Sequence, residues 1–287
     1  MRIPELIRYS KRLLKGRRIN TMFLCLLPVA AELFFRTAEA CIYSLLLYFG
    51  EMKPLELFSG RDPLQLGIMA SFTLLRWTAV APLSYAAAHR LVQICREDGR
   101  ITPAADVLTD SRCFRRSIEA ALWTKLAGLL ALAPAAFFAV TTYSLLFRSQ
   151  TAGQLFLTVH AAVLTAVSLG LWLALKLSFT AVPFLLAERP GKSPLSIVLY
   201  SLRFMSGKRS VLLRLILVYL PAMTTIAAIP AVLPALRTSF ALTVHIYTKE
   251  EEYLEGNKAH RNVRKAHDSP ELPAGQKRRF KTAPDQT

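Results

Sequence analysis

The stretch 154-QLFLTVHAAVLTAVSLGLWLALKLSFTAVPFLLA-187, followed at once by 188-ERPGKSPLSIVLYSLRFMSGKRS-210, decides the fold. Its first part carries a single charge, Lys176, over more than the roughly 20 residues that a helix needs to cross hydrocarbon. Its second part holds five Lys and Arg residues. An apolar run that ends on a basic loop predicts a membrane span with its end at the cytoplasmic face.

Working outward, the same signal recurs. Apolar runs cover about 19–50, 63–88, 118–147, 154–187 and 211–248. The last is too long for one crossing, and Pro230 and Pro234 near its middle favour a break. Two helices, 211–229 and 230–248, are expected with a tight turn near Ile229–Ala231, although one long kinked helix fits the same residues. The predicted fold class is all-α: a polytopic membrane helix bundle of about six transmembrane helices.

The basic residues support this layout. The chain has 287 residues, 36 Lys and Arg against 19 Asp and Glu, a net charge of +17, and a mean hydropathy of +0.34. Of the 36, 27 lie in segments 1–20, 89–117, 188–210 and 249–287, and three lie in the intervening loops 51–62 and 148–153. That alternation places both termini in the cytoplasm and requires an even number of spans. It turns the net charge from a nucleic-acid signal into a topology signal. Charged residues are 19% of the chain and apolar residues 53%, which excludes a wholly disordered protein. Ala38-Glu39-Ala40 before Cys41 resembles a cleavage site, but Glu32 and Arg36 interrupt the apolar region, so the first span is expected to stay uncleaved.

Two segments predict amphipathic helices. Residues 2–18 mix Ile3, Leu6, Ile7, Leu13 and Leu14 with Arg8, Lys11, Arg12, Lys15, Arg17 and Arg18; residues 193–206 space Leu195, Val198, Leu199, Leu202 and Met205 helically after the cap Ser193-Pro194. Such helices lie in the headgroup layer with basic residues toward anionic lipid, or finish the bundle at its cytoplasmic face. Membrane lipids with anionic headgroups are therefore the expected partners. The tail from Lys249 is polar and expected to be disordered and cytoplasmic; with few aromatics to stack on bases, it ranks nucleic acid last.

Val182-Pro183-Phe184-Leu185-Leu186-Ala187-Glu188, then Ser201-Leu202-Arg203-Phe204-Met205, Ser206-Gly207-Lys208, Pro234 and Tyr247 resemble DUF975, a bacterial family of multi-pass membrane proteins. The likeness covers about 75 residues, with Leu202 inserted between Ser201 and Arg203 relative to the family pattern. It implies a six-span membrane protein of the bacterial plasma membrane and implies no reaction. A more distant likeness is to the non-catalytic membrane portion of some glycerophosphodiester phosphodiesterases.

No phosphate loop, G-x-S-x-G or H-E-x-x-H occurs. The five His residues have no metal spacing, and none of the four Cys forms C-x-x-C, so free thiols and neither cofactor nor metal are expected. A non-enzymatic protein follows. The informative residues are charges inside spans: Glu32, Arg36 and Glu39 share one face of the first helix, and Arg76 and Arg237 lie mid-span. They form a candidate network, read either as an internal salt-bridge cluster or as a polar cavity for an anionic ligand. Lys125, Lys176 and Arg214 lie near cytoplasmic ends, where long side chains snorkel outward. Three roles stay open: an envelope or accessory protein, a small transporter or lipid-handling protein, and an insertase-like or ribosome-linked factor.

Overall fold

The computed structural model describes residues 3–49, 63–96, 103–146, 152–225 and 228–267. The predicted loop 51–62, residues 148–151 of the next outer loop, and the tail beyond His267 lie outside the described residues. Every regular element among the described residues is helical. In chain order these are α1 (Ile3–Leu13), α2 (Arg18–Tyr48), α3 (Pro63–Arg96), α4 (Ala104–Thr109), α5 (Ser111–Leu146), α6 (Ala152–Phe179), α7 (Val182–Glu188), α8 (Pro194–Phe204), α9 (Arg209–Met223) and α10 (Ile229–His267). The chain divides into two compact units, Met1–His245 and Ile246–Thr287.

Local chemistry explains the breaks. Gly16 and Gly207 adopt φ of +83° and +79°, a left-handed conformation that only glycine takes without strain, and they reverse the chain after α1 and α8. Ser193 caps α8 by accepting from the Ser196 backbone N–H at 3.4 Å, with Pro194 in the first turn. Asp110 receives the Arg112 N–H at 3.0 Å before α5, and hydrogen bonds from Cys113 and Arg112 hold its carboxyl below the usual range. Within the helices, Thr37, Ser44, Thr124, Thr141 and Thr165 donate their hydroxyls to carbonyls three or four residues back. That is how an apolar helix satisfies a polar side chain without a partner helix.

Four segments are long and apolar enough to cross a membrane: Arg18–Tyr48, Ser111–Leu146, Gly153–Glu188 and Ile229–Leu254. Their outward faces are apolar. Leu130 is 76% exposed, Phe137 67% and Leu171 63%. An exposed apolar surface of this extent calls for hydrocarbon or a partner rather than water. Inside, α5 packs on α6, α2 on α3, and α3 also on α5 and α7. Ala86, Ala87 and Ala88 of α3 are buried, as is most of α7; small side chains let the two helix backbones approach closely.

Several expectations change. Of the six expected spans, α3 is 34 residues long, whereas α9 is only 15 residues, about 22 Å at 1.5 Å per residue, short of the roughly 30 Å of hydrocarbon. α9 ends at Met223 and α10 begins at Ile229, so the break precedes Ile229–Ala231; Pro230 is tolerated in the first turn of α10, where its missing N–H costs nothing. The fourth run divides at Thr180–Ala181 into α6 and α7, with Pro183 at the start of the second. The apolar face of α8 is only partly the expected one: Val198 and Met205 are buried with Ile197 and Phe204, while Leu195 and Leu199 are exposed.

Part of the tail is described: helix α10 continues through Lys249 to His267. The run Lys249-Glu250-Glu251-Glu252-Tyr253-Leu254-Glu255 is rich in helix formers, no proline occurs before Pro270, and Lys249 Nζ meets Glu252 Oε2 at 3.5 Å. The polar composition that argued for disorder is equally that of an exposed helix.

One placement bears on topology. Arg18 and Met22 at the start of α2 line the same cavity as Ala222, Pro230 and Ala231 at the α9–α10 junction. A hairpin running the full length of α2 from its Arg18 end would hold that junction at the far end from Arg18.

Candidate functional site

Glu32 occupies the middle of α2, between Pro28 and Arg36, and is the centre of the site. Helical spacing brings Arg36 one turn on, and its Nε meets Glu32 Oε1 at 3.1 Å. The packing of α2 on α3 brings Arg76, whose Nε lies 3.6 Å from the same oxygen. The two arginines differ in surroundings: the Arg36 side chain is 63% exposed, the Arg76 side chain 19%. Arg36 can reach outward, whereas Arg76 is held.

Behind this pair is a cavity of about 190 Å³ bounded by α2, α3, α5, α6 and α7. Glu32, Arg76, Trp77, Tyr85 and Lys125 give it chemistry, while Val80, Val182, Pro183 and Leu186 make apolar wall. It has room for about half a dozen waters at roughly 30 Å³ each, or for one small headgroup. Lys125 comes from α5, with its Nζ 5.9 Å from the Trp77 ring centroid. Sequence reading assigned Lys125 to snorkelling; the packing of α5 against α3 turns it into the cavity. Tyr85 Oη lies 3.9 Å from Cys113 Sγ, while Ser117 and Thr124 give their hydroxyl protons to the carbonyls of Phe114 and Ala121.

Glu32 and Arg36 also line a more open groove of about 440 Å³ with Pro28, Val80, Ser84 and Arg237. Arg237 thus reaches the same helix face without joining Glu32, and its ionisable neighbour is Cys25 of α2. Glu39 is half-buried and interacts with Tyr43. Among the described residues, neither Arg237 nor Glu39 makes an ion pair. Of the five predicted residues, Glu32, Arg36 and Arg76 meet, Arg237 stands beside them, and Glu39 stays apart.

The structure adds a second cluster. Glu188 at the end of α7 accepts from Arg96 Nη2 at the end of α3 and contacts His245 Nδ1 of α10 at 2.8 Å. Arg96 Nη2 also reaches the Glu188 carbonyl at 3.2 Å. The Glu188 side chain is 4% exposed, so one buried carboxylate ties together three helices. Chain order hides this cluster; the one available signal is the acidic residue that closes the apolar run Val182–Ala187.

Chemically, the cavity gathers two cations, Arg76 and Lys125, around one carboxylate, with Arg36 on the outer side of Glu32. In a low-dielectric frame that surplus attracts an anion, and the guanidinium donors that Glu32 does not use can receive a carboxylate or phosphate. All four cysteines are free, and no cluster of three metal-ligating residues occurs among the described residues. No protein-family model, curated protein or solved structure matches the chain.

Proposed function

We propose that this chain is a non-enzymatic, multi-pass protein of a bacterial plasma membrane, related to the DUF975 family, that binds an anionic amphiphile in the Glu32–Arg76–Lys125 cavity. The observation that carries this reading is the surplus of cations in a cavity otherwise walled by apolar side chains. A purely structural network would balance its charges, since an unmatched cation among apolar helices is costly. The cavity suits a carboxylate or similar headgroup, with the chain lying along apolar helix faces. The reading favours a lipid-handling role over an accessory or ribosome-linked one.

Trp77 supplies the test, because it lines the cavity. In a Trp123→Phe/Trp172→Phe background, dibrominated stearate should quench Trp77 fluorescence saturably. Arg76→Gln and Lys125→Gln should each weaken that binding at least about tenfold, the loss expected for one charge-assisted hydrogen bond. Arg237→Gln should leave it nearly unchanged. Quenching that does not saturate, or that ignores Arg76→Gln in folded protein, would make the network structural only.

The loop charges support cytoplasmic termini and an even number of crossings. Six requires the α9–α10 hairpin to cross; four leaves it on the cytoplasmic side, with α2, α3, α5 and α6–α7 crossing. The short α9 and the position of Ala222 and Pro230 beside Arg18 favour four. In a chain without native cysteines, Thr225→Cys should then react with a membrane-impermeant maleimide only after permeabilisation. Labelling in intact cells would restore the six-span arrangement.

A further inference from the structure

A separate cavity, of about 470 Å³, lies where the α1–α2 turn meets the α9–α10 junction. Its size is that of a small-molecule site. Most of its wall is apolar, including Leu14, Met22, Ala222 and Val232, and it carries three polar groups: Lys11, Arg18 and Tyr219. Tyr219 is 7% exposed and its hydroxyl has no hydrogen-bond partner. A buried hydroxyl without a partner is unfavourable, so this one points to an acceptor supplied from outside the chain. Lys11 and Arg18 stand exposed on the rim, and neither has an acidic partner among the described residues.

The cations are held in place by the fold. Leu6, Ser10 and Leu14 bury one face of α1, and Ser239 of α10 donates to Ser10 Oγ at 3.0 Å, which leaves Lys11 at the rim. The left-handed Gly16 reverses the chain and returns Arg18 to the same opening. Next to Arg18 in the chain, the apolar Ile19 is 69% exposed. A soluble phosphate compound would leave the apolar wall unused, whereas a lipid covers it.

We propose that this cavity binds the headgroup of an anionic phospholipid. Its phosphate accepts from Lys11, Arg18 and the Tyr219 hydroxyl, and its glycerol and upper acyl chains lie on the apolar wall. This site shares no residue with the Glu32 cavity and does not depend on the reading given for it.

The test is native mass spectrometry of the purified full chain titrated with phosphatidylglycerol or phosphatidylcholine. The wild type should prefer phosphatidylglycerol. Lys11→Gln/Arg18→Gln should weaken that lipid about thirtyfold, at roughly fivefold per cation. Tyr219→Phe, which keeps the shape, should weaken it several-fold, and Arg76→Gln/Lys125→Gln should leave it unchanged. Unaltered affinity in the folded Lys11/Arg18 double variant would overturn the proposal. If that variant does not fold, unaltered affinity in Tyr219→Phe overturns it. Displacement of the lipid by inorganic phosphate would overturn the assignment to a lipid.

Discussion

Glu188→Ala should lower the stability of the protein by about 3 kcal/mol, read as a shift in the denaturant midpoint of the purified chain followed by circular dichroism. Removing one partner of a buried ion pair costs roughly 3–5 kcal/mol because the other charge is left uncompensated. The lower end applies here. The Arg96 side chain is 36% exposed and can turn partly to water, while the His245 side chain is 15% exposed and loses its hydrogen bond to Glu188. Glu188→Gln keeps the shape and an acceptor for Arg96, so it should cost about half as much. The cluster joins the ends of α3 and α7 to α10, so the loss should appear as one cooperative shift. An unchanged midpoint for Glu188→Ala would show that these helix ends are held by packing alone.

Glu32→Gln should cost a comparable amount, about 3 kcal/mol, through Arg76. A charge without a counterion in a membrane interior is worth roughly 2.5–3.5 kcal/mol on insertion scales. Arg36 escapes this penalty by reaching outward, but the Arg76 side chain is 19% exposed and lines the cavity. Glu32→Gln/Arg76→Gln should therefore recover most of the lost stability, since removing both charges removes the mismatch. A double variant as unstable as the single would mean that Glu32 supports the fold by other contacts. The same double variant separates stability from binding: it should be stable and yet bind the brominated fatty acid weakly, because Arg76 is gone.

Part of the site was legible along the chain. Glu32 and Arg36 meet because residues four apart on a helix are neighbours, whatever else the helix touches. Arg76 was legible as a charge too deep in its run to reach water. Lys125 was not. Its position in the third apolar run suggested an outward-reaching side chain, and only the way α5 packs on α3 turns it beside Trp77. Glu39 shows the converse. Sequence spacing put it on the face of Glu32, but the cavity wall is made by α3, α5 and α7, and Glu39 lies beyond the part of α2 that they cover. Arg237 lines a groove rather than the cavity because α9 is short and α10 begins beside the start of α2.

By itself the sequence determined that the chain forms long apolar helices and which of their ends carry basic loops. Both properties depend on residues near one another along the chain: runs of about 20 apolar side chains, prolines and left-handed glycines at breaks, and clusters of Lys and Arg. The tertiary structure alone decided which charges face one another. Arg76 with Glu32, Lys125 with the cavity, and Glu188 with Arg96 and His245 all join residues on different helices. Rotation and depth of one helix against another are set by side-chain packing over whole interfaces, and no local pattern encodes them.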